Sequence, residues 1–116
     1  MYNMDERKQR YLRDGIAIRL GGLAANLTRI KTFSEHDGHR EAVQSLIEES
    51  KYFIEWTTME LEIDIQALLV SLQIQLALWQ VRLDRIWMDA AQRSSLAAEV
   101  DTFSRKVLKL SGLVLK

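Results

Sequence analysis

Both histidines of this 116-residue chain lie in one short stretch, Glu35-His36-Asp37-Gly38-His39. Imidazole and carboxylate together suit zinc or another divalent ion, which makes Glu35, His36, Asp37 and His39 the candidate metal ligands. All four sit on one turn, however, and no distant ligand completes the set. The Glu-x-x-His pattern of metal-binding helical bundles is also absent. A solvated turn, with Gly38 giving the backbone its freedom, is the simpler expectation, and no metal or cofactor is assigned. Glu60 and Asp64 would share one side of a helix, whereas Glu62 points elsewhere. Acid–base catalysis needs a shielded pair, and acidic residues at a helix start are explained by the helix dipole. Gly21-Gly22 falls inside a helical pattern and forms no phosphate loop. The chain has no cysteine, which excludes disulfides, thiolate metal sites and a cysteine nucleophile.

Arg29 and His36 have six residues between them. In spacing the pair resembles the Arg-x(4–6)-His motif of HEPN-type RNases, which are small dimeric helical bundles. The likeness covers two residues. It departs from that family at Ile30, where a polar residue is favoured, and in lying at the end of the first helix rather than on a later one. The resemblance implies a catalytic pair, Arg29 and His36, completed by a second subunit, and it stands as an alternative without membership in the family. A broader nucleic-acid alternative rests on Arg7, Lys8, Arg10 and Arg13 around Tyr11, and on Trp56, Trp79 and Trp87 as stacking surfaces. Trp79 belongs to a core stripe and Trp56 to a helix start, which leaves Trp87 as the most exposed of the three.

The elements that must carry these residues are helical. There is no proline, there are five glycines, and 47% of residues are apolar against 28% charged. The spacing predicts an all-α chain, a single domain over 1–116: an antiparallel up-down bundle of about four helices, near 5–32, 39–56, 58–91 and 95–111. Leu12, Ile16, Leu20, Leu23, Leu27 and Ile30 make the stripe of the first helix, with a kink expected at Asp14-Gly15. Val43, Leu46, Ile47, Ser50 and Ile54 face inward on the second. Thr57 with Glu60 has capping-box spacing, and Trp56 with Leu61 has staple spacing, so the third helix starts near Thr58. Ser94 or Ser95 caps the fourth helix, which carries Leu96, Val100, Phe103, Val107 and Leu110 and ends at Gly112. Leu113, Val114 and Leu115 follow as an apolar tail expected to dock on the bundle.

Residues 59–87 alternate apolar and polar side chains for long stretches, which is the period of a strand. As one strand they would span about 95 Å, far beyond ordinary strands, and no turn residue divides them into a hairpin. A helix fits instead. At about 100° per residue, Leu61, Ile65, Leu68, Leu72, Leu76, Trp79, Leu83 and Ile86 share one face, while Ile63, Ala67, Val70, Ile74, Leu78 and Val81 occupy the opposite one. A helix with two apolar faces needs two surfaces to pack against. On the first helix, Ala17, Gly21, Ala25 and Thr28 form a small-residue ridge opposite the Leu/Ile stripe. The expectation is a homodimer that uses the second face of 59–87, together with Ala17, Gly21 and Ala25. Burial of both faces within one subunit is the alternative.

Net charge is zero but sorted: residues 1–31 carry +4, residues 35–66 carry −7 and residues 67–116 carry +3. An acidic second helix beside basic neighbours favours one packing order. No apolar run reaches the ~20 residues of a membrane span and the N-terminus is polar, so a cytoplasmic protein without a membrane partner is expected. The resulting expectation is a non-catalytic interaction or assembly module, homodimeric, with another protein as the alternative partner. The alternative is a nucleic-acid-associated helical protein, including a HEPN-like RNase.

Overall fold

The computed structural model describes residues 4–112, and every regular element among them is helical. Five α-helices follow one another: α1 (Met4–Leu12), α2 (Ile16–Ser34), α3 (Arg40–Thr57), α4 (Ile63–Trp87) and α5 (Ala90–Ser111). Short 3-10 turns at Asp37–His39 and Thr58–Glu60 lead into α3 and α4. The apolar tail Leu113, Val114 and Leu115 lies outside the described residues.

The expected first helix is two helices. After Leu12 the backbone leaves the helix, and Gly15, in extended conformation, caps α2. An interior glycine beside Asp14 disfavours helix by roughly 1 kcal/mol, enough here to break the helix rather than bend it. The break between the second and third expected helices also differs in detail. Thr57 is the last residue of α3 and its hydroxyl does not cap the next helix; it donates to the Tyr11 phenol. Leu61 and Glu62 are extended, and α4 begins only at Ile63. At its other end α4 stops at Trp87, short of the expected Ala91. Asp89, not Ser94 or Ser95, caps α5: its carboxylate accepts a hydrogen bond of 2.9 Å from the Ala91 amide. Two residues therefore suffice to connect α4 to α5. Gly112 closes α5 in the left-handed conformation, φ 73°, which disfavours a side chain.

The core is assembled from one stripe of each long helix. Leu20, Leu23, Leu27 and Ile30 of α2 meet Val43, Ile47 and Ile54 of α3. Leu69, Leu72, Leu76, Trp79, Leu83 and Ile86 of α4, with Leu96, Val100 and Val107 of α5, complete it. α2 packs along α3 and α5, and α4 packs along the same two helices, which leaves α2 and α4 on opposite sides of the core. α1 rests on α3. Two expected core positions are solvent-facing, Leu12 and Leu110, because each sits near the end of its helix.

The contact between α2 and α5 is the most extensive. Small residues allow it: Ala24 is buried, the Ser104 hydroxyl donates to the Ala24 carbonyl at 3.0 Å, and it shares a 2.7 Å hydrogen bond with the Thr28 hydroxyl. Part of the small-residue side of α2 is thus covered within the chain by α5. Of the ridge residues, Ala17 and Ala25 remain exposed and Gly21 is half-buried.

Candidate interaction surface

The two faces of α4 differ in what covers them. Leu72, Leu76, Trp79, Leu83 and Ile86 are buried in the core, and the Trp79 indole meets the Phe103 ring edge-on, centroids 6.5 Å apart. On the opposite face Ile63 is 78% exposed, Ile74 59% and Val81 85%. Val70 and Leu78 lie between them, also exposed, as does Ala67. The described residues therefore do not fill this face. α3 and α5 grip α4 from the two sides and leave its back free.

The seams between the faces are polar and partly bonded. Toward α3, Lys51 donates to the Gln80 side chain at 2.9 Å, Gln73 reaches the Lys51 carbonyl, and Arg40 pairs with Asp84. These contacts join acidic α3 to its neighbour side chain by side chain. Asp64, Arg82 and Arg85 are exposed, and none of the three has a bonded partner among the described residues.

Elsewhere the polar groups serve the fold. Arg19, 6% exposed, forms a two-pronged pair with Glu60 at 2.7 and 3.0 Å, and its Nε donates to the Asp14 carbonyl. The guanidinium holds the Glu60 carboxyl below its usual range, and Glu60 in turn raises the Arg19 pKa. The Tyr11 hydroxyl donates to the Arg19 carbonyl and accepts from Thr57, both at 3.1 Å. Burial pushes its pKa up to about 12. The Tyr11 ring stacks on Phe53, centroids 4.1 Å apart, with Trp56 alongside at 5.8 Å. Asn26 donates to Glu49, which also pairs with Arg7, and Arg29 donates to the Asn26 side-chain amide oxygen, Oδ1, at 2.8 Å. Sequence reasoning missed Arg19 and Asn26 as buried polar groups. Their signal is positional: Arg19 lies four residues before Leu23, and Asn26 lies four before Ile30, both on the edge of the core stripe. Ser50, also core-facing, is buried with no hydrogen-bond partner for its hydroxyl.

The chemical candidates are dispersed. Among the described residues no group of three or more His, Asp or Glu side chains, those of Glu35, His36, Asp37 and His39 included, is placed to hold a metal ion. The His39 ring instead lies 4.9 Å from Phe33, and His36 is exposed. Arg29 is bonded to Asn26, and no contact joins it to His36. Trp87, expected to be exposed, is 8% exposed: its indole donates to the Asp37 carbonyl at 2.7 Å, and Arg93 holds its own carbonyl. Trp87 and Asp37 thus fasten the end of α4 to the turn before α3. A cleft of about 560 Å³ opens between α1 and α3, lined by Met4, Arg7, Leu46, Glu49 and Tyr52 among others; Arg29, His36 and Trp87 are not part of it. Among the described residues no helix is long and apolar enough to cross a membrane.

The architecture defines an all-helical domain with one uncovered apolar helix face. Beyond that class, comparison with known proteins yields no match to a family model, to a curated protein or to a solved structure.

Proposed function

We propose that this chain is a non-catalytic interaction and assembly module: an antiparallel helical bundle that works as a homodimer through the outer face of α4. One observation carries the proposal. Ile63, Val70, Ile74, Leu78 and Val81 form a continuous exposed apolar line about 27 Å long, from Ile63 to Val81 at 1.5 Å per residue. Such a patch, several hundred Å², is large for a soluble monomer and marks an interaction site. The short links on either side of α4 support the antiparallel order of neighbours.

Sedimentation at tens of micromolar is expected to give a single dimeric species without salt-sensitive affinity for RNA. Ile74→Glu buries a carboxylate in that interface and is expected to yield a monomer with unchanged helicity by circular dichroism. A wild-type monomer, or a dimer indifferent to Ile74→Glu, refutes the assignment of this face. Salt-sensitive RNA binding by a wild-type monomer would instead favour the nucleic-acid alternative.

A further inference from the structure

We propose that two copies of this chain pack α4 against α4 in antiparallel sense, about a two-fold axis passing near Leu72 and Gln73, so that Asp64 of each copy meets Arg82 of the partner subunit. This arrangement rests on the homodimer reading above and specifies its geometry.

The exposed face is symmetric under reversal of the helix. Ile63 and Val81 are equidistant from Leu72, as are Val70 and Ile74, and Ala67 answers to Leu78 within one residue. Turned end for end, the line sets large side chains on large ones at Ile63, Val70, Ile74 and Val81, and brings Leu78 next to the small Ala67, which leaves it room. Ile63 and Val81 are eighteen residues apart, five helical turns, and so share one direction from the axis.

The flanking charges obey the same symmetry. Asp64 and Arg82 are also eighteen residues apart and lie on one flank, the one turned toward α5. Both are exposed, and neither has a bonded partner among the described residues; Glu99 of α5 lines the groove beside Arg82 without bonding to it. A two-fold axis perpendicular to α4 brings the same flank of each copy together with the sequence running in opposite directions. Asp64 then faces Arg82 of the partner subunit, twice per dimer. On the other flank, Glu62 approaches the Arg40–Asp84 pair of the partner subunit rather than a bare carboxylate. A parallel pairing places the Asp64–Arg82 flanks of the two copies on opposite sides of the interface, so these charges do not meet and the mode lacks their attraction. The helix dipoles also oppose each other favourably only in the antiparallel mode. A surface whose acidic end complements its own basic end, across an apolar line that complements itself, selects a second copy as its occupant.

The test uses charge reversal and distance. Asp64→Arg and Arg82→Asp are each expected to weaken the homodimer about tenfold, because each places like charges together twice. Mixed together, the two variants are expected to form the heterodimer in preference to either homodimer, and the double variant to regain wild-type affinity. Spin labels provide the second readout, since the chain has no cysteine of its own. Labels at Ser71→Cys, near the axis, should lie within about 20 Å of each other, and labels at Glu62→Cys beyond about 30 Å. Short distances at both positions, or variants that show no mutual preference, overturn the antiparallel arrangement while leaving the dimer. A wild-type monomer, or a dimer that survives Ile74→Glu, overturns the face and the arrangement together.

Discussion

Tyr11 is the point where three helices are tied. Its ring, on α1, stacks on Phe53 of α3, and its hydroxyl links the Arg19 carbonyl of α2 to Thr57 at the end of α3. Buried among these groups, the phenol resists ionisation, with its pKa pushed from 10 up to about 12. Because the folded pKa lies above the unfolded one, the neutral phenol stabilises the fold fully below pH 10. That contribution is lost as pH rises through 12. In urea titrations, wild type is therefore expected to lose about 1 kcal/mol between pH 8 and pH 11 relative to Tyr11→Phe, which has no proton to give up. At pH 8 the Phe variant should be the less stable by about 1 kcal/mol, since Thr57 and the Arg19 carbonyl each lose a partner. Identical pH profiles for the two proteins would show that this phenol is not buried in solution. Arg19 itself was not recognisable as buried from the sequence. An arginine on the margin of an apolar stripe can reach solvent as easily as turn inward, and only the carboxylate of Glu60, 41 residues away, decides which.

At the scale of elements, the helices were legible and their ends only partly so. Steps of three and four marked the core stripes of α2, α3, α4 and α5, because that spacing puts the stripe's side chains on one side of a helix. Gly112 marked the end of α5 for a local reason, its positive φ. The start of α5 was placed at Ser94 or Ser95, although Asp89 is an equally good capping residue and leaves a two-residue link. What selected Asp89 is the tertiary packing: α5 must begin at once to bring Leu96, Ala97 and Val100 onto the core beside α4. The backbone amide of Ala91 and the Gln92 side chain hold the Asp89 carboxyl below its usual range. Asp89→Ala is expected to lower the denaturation midpoint in melts near neutral pH, and Ser94→Ala to lower it much less. Equal effects would move the cap to where the sequence alone suggested.

For the whole molecule, the decisive feature is the uneven treatment of α4. Its two faces are similarly apolar, yet one lies in a core shared by four helices and the other has no partner among the described residues. In the proposed homodimer, association would remove the second face from water and couple to folding by mass action. The thermal midpoint of the wild type is therefore expected to rise with protein concentration, by several degrees over a hundredfold range, whereas that of Ile74→Glu should stay constant. A concentration-independent wild type would place the protein among monomers.

The sequence by itself determined that the chain is helical, that most of 59–87, the part that forms α4, is a two-faced helix, and where the main core stripes run, because these depend on periodicity and on breakers, which are local. It could not decide whether the second face is filled from within. That depends on how many helices can surround α4 and from which directions, and the tertiary structure supplies two, α3 and α5, both on the inner side. Nor could it decide the fate of Trp87 or of the His36 cluster. The Trp87 indole is buried because the Asp37 carbonyl, 50 residues away, is brought within 2.7 Å of it. Contacts of that separation are set by the packing of whole helices, and no pattern within one helix encodes them.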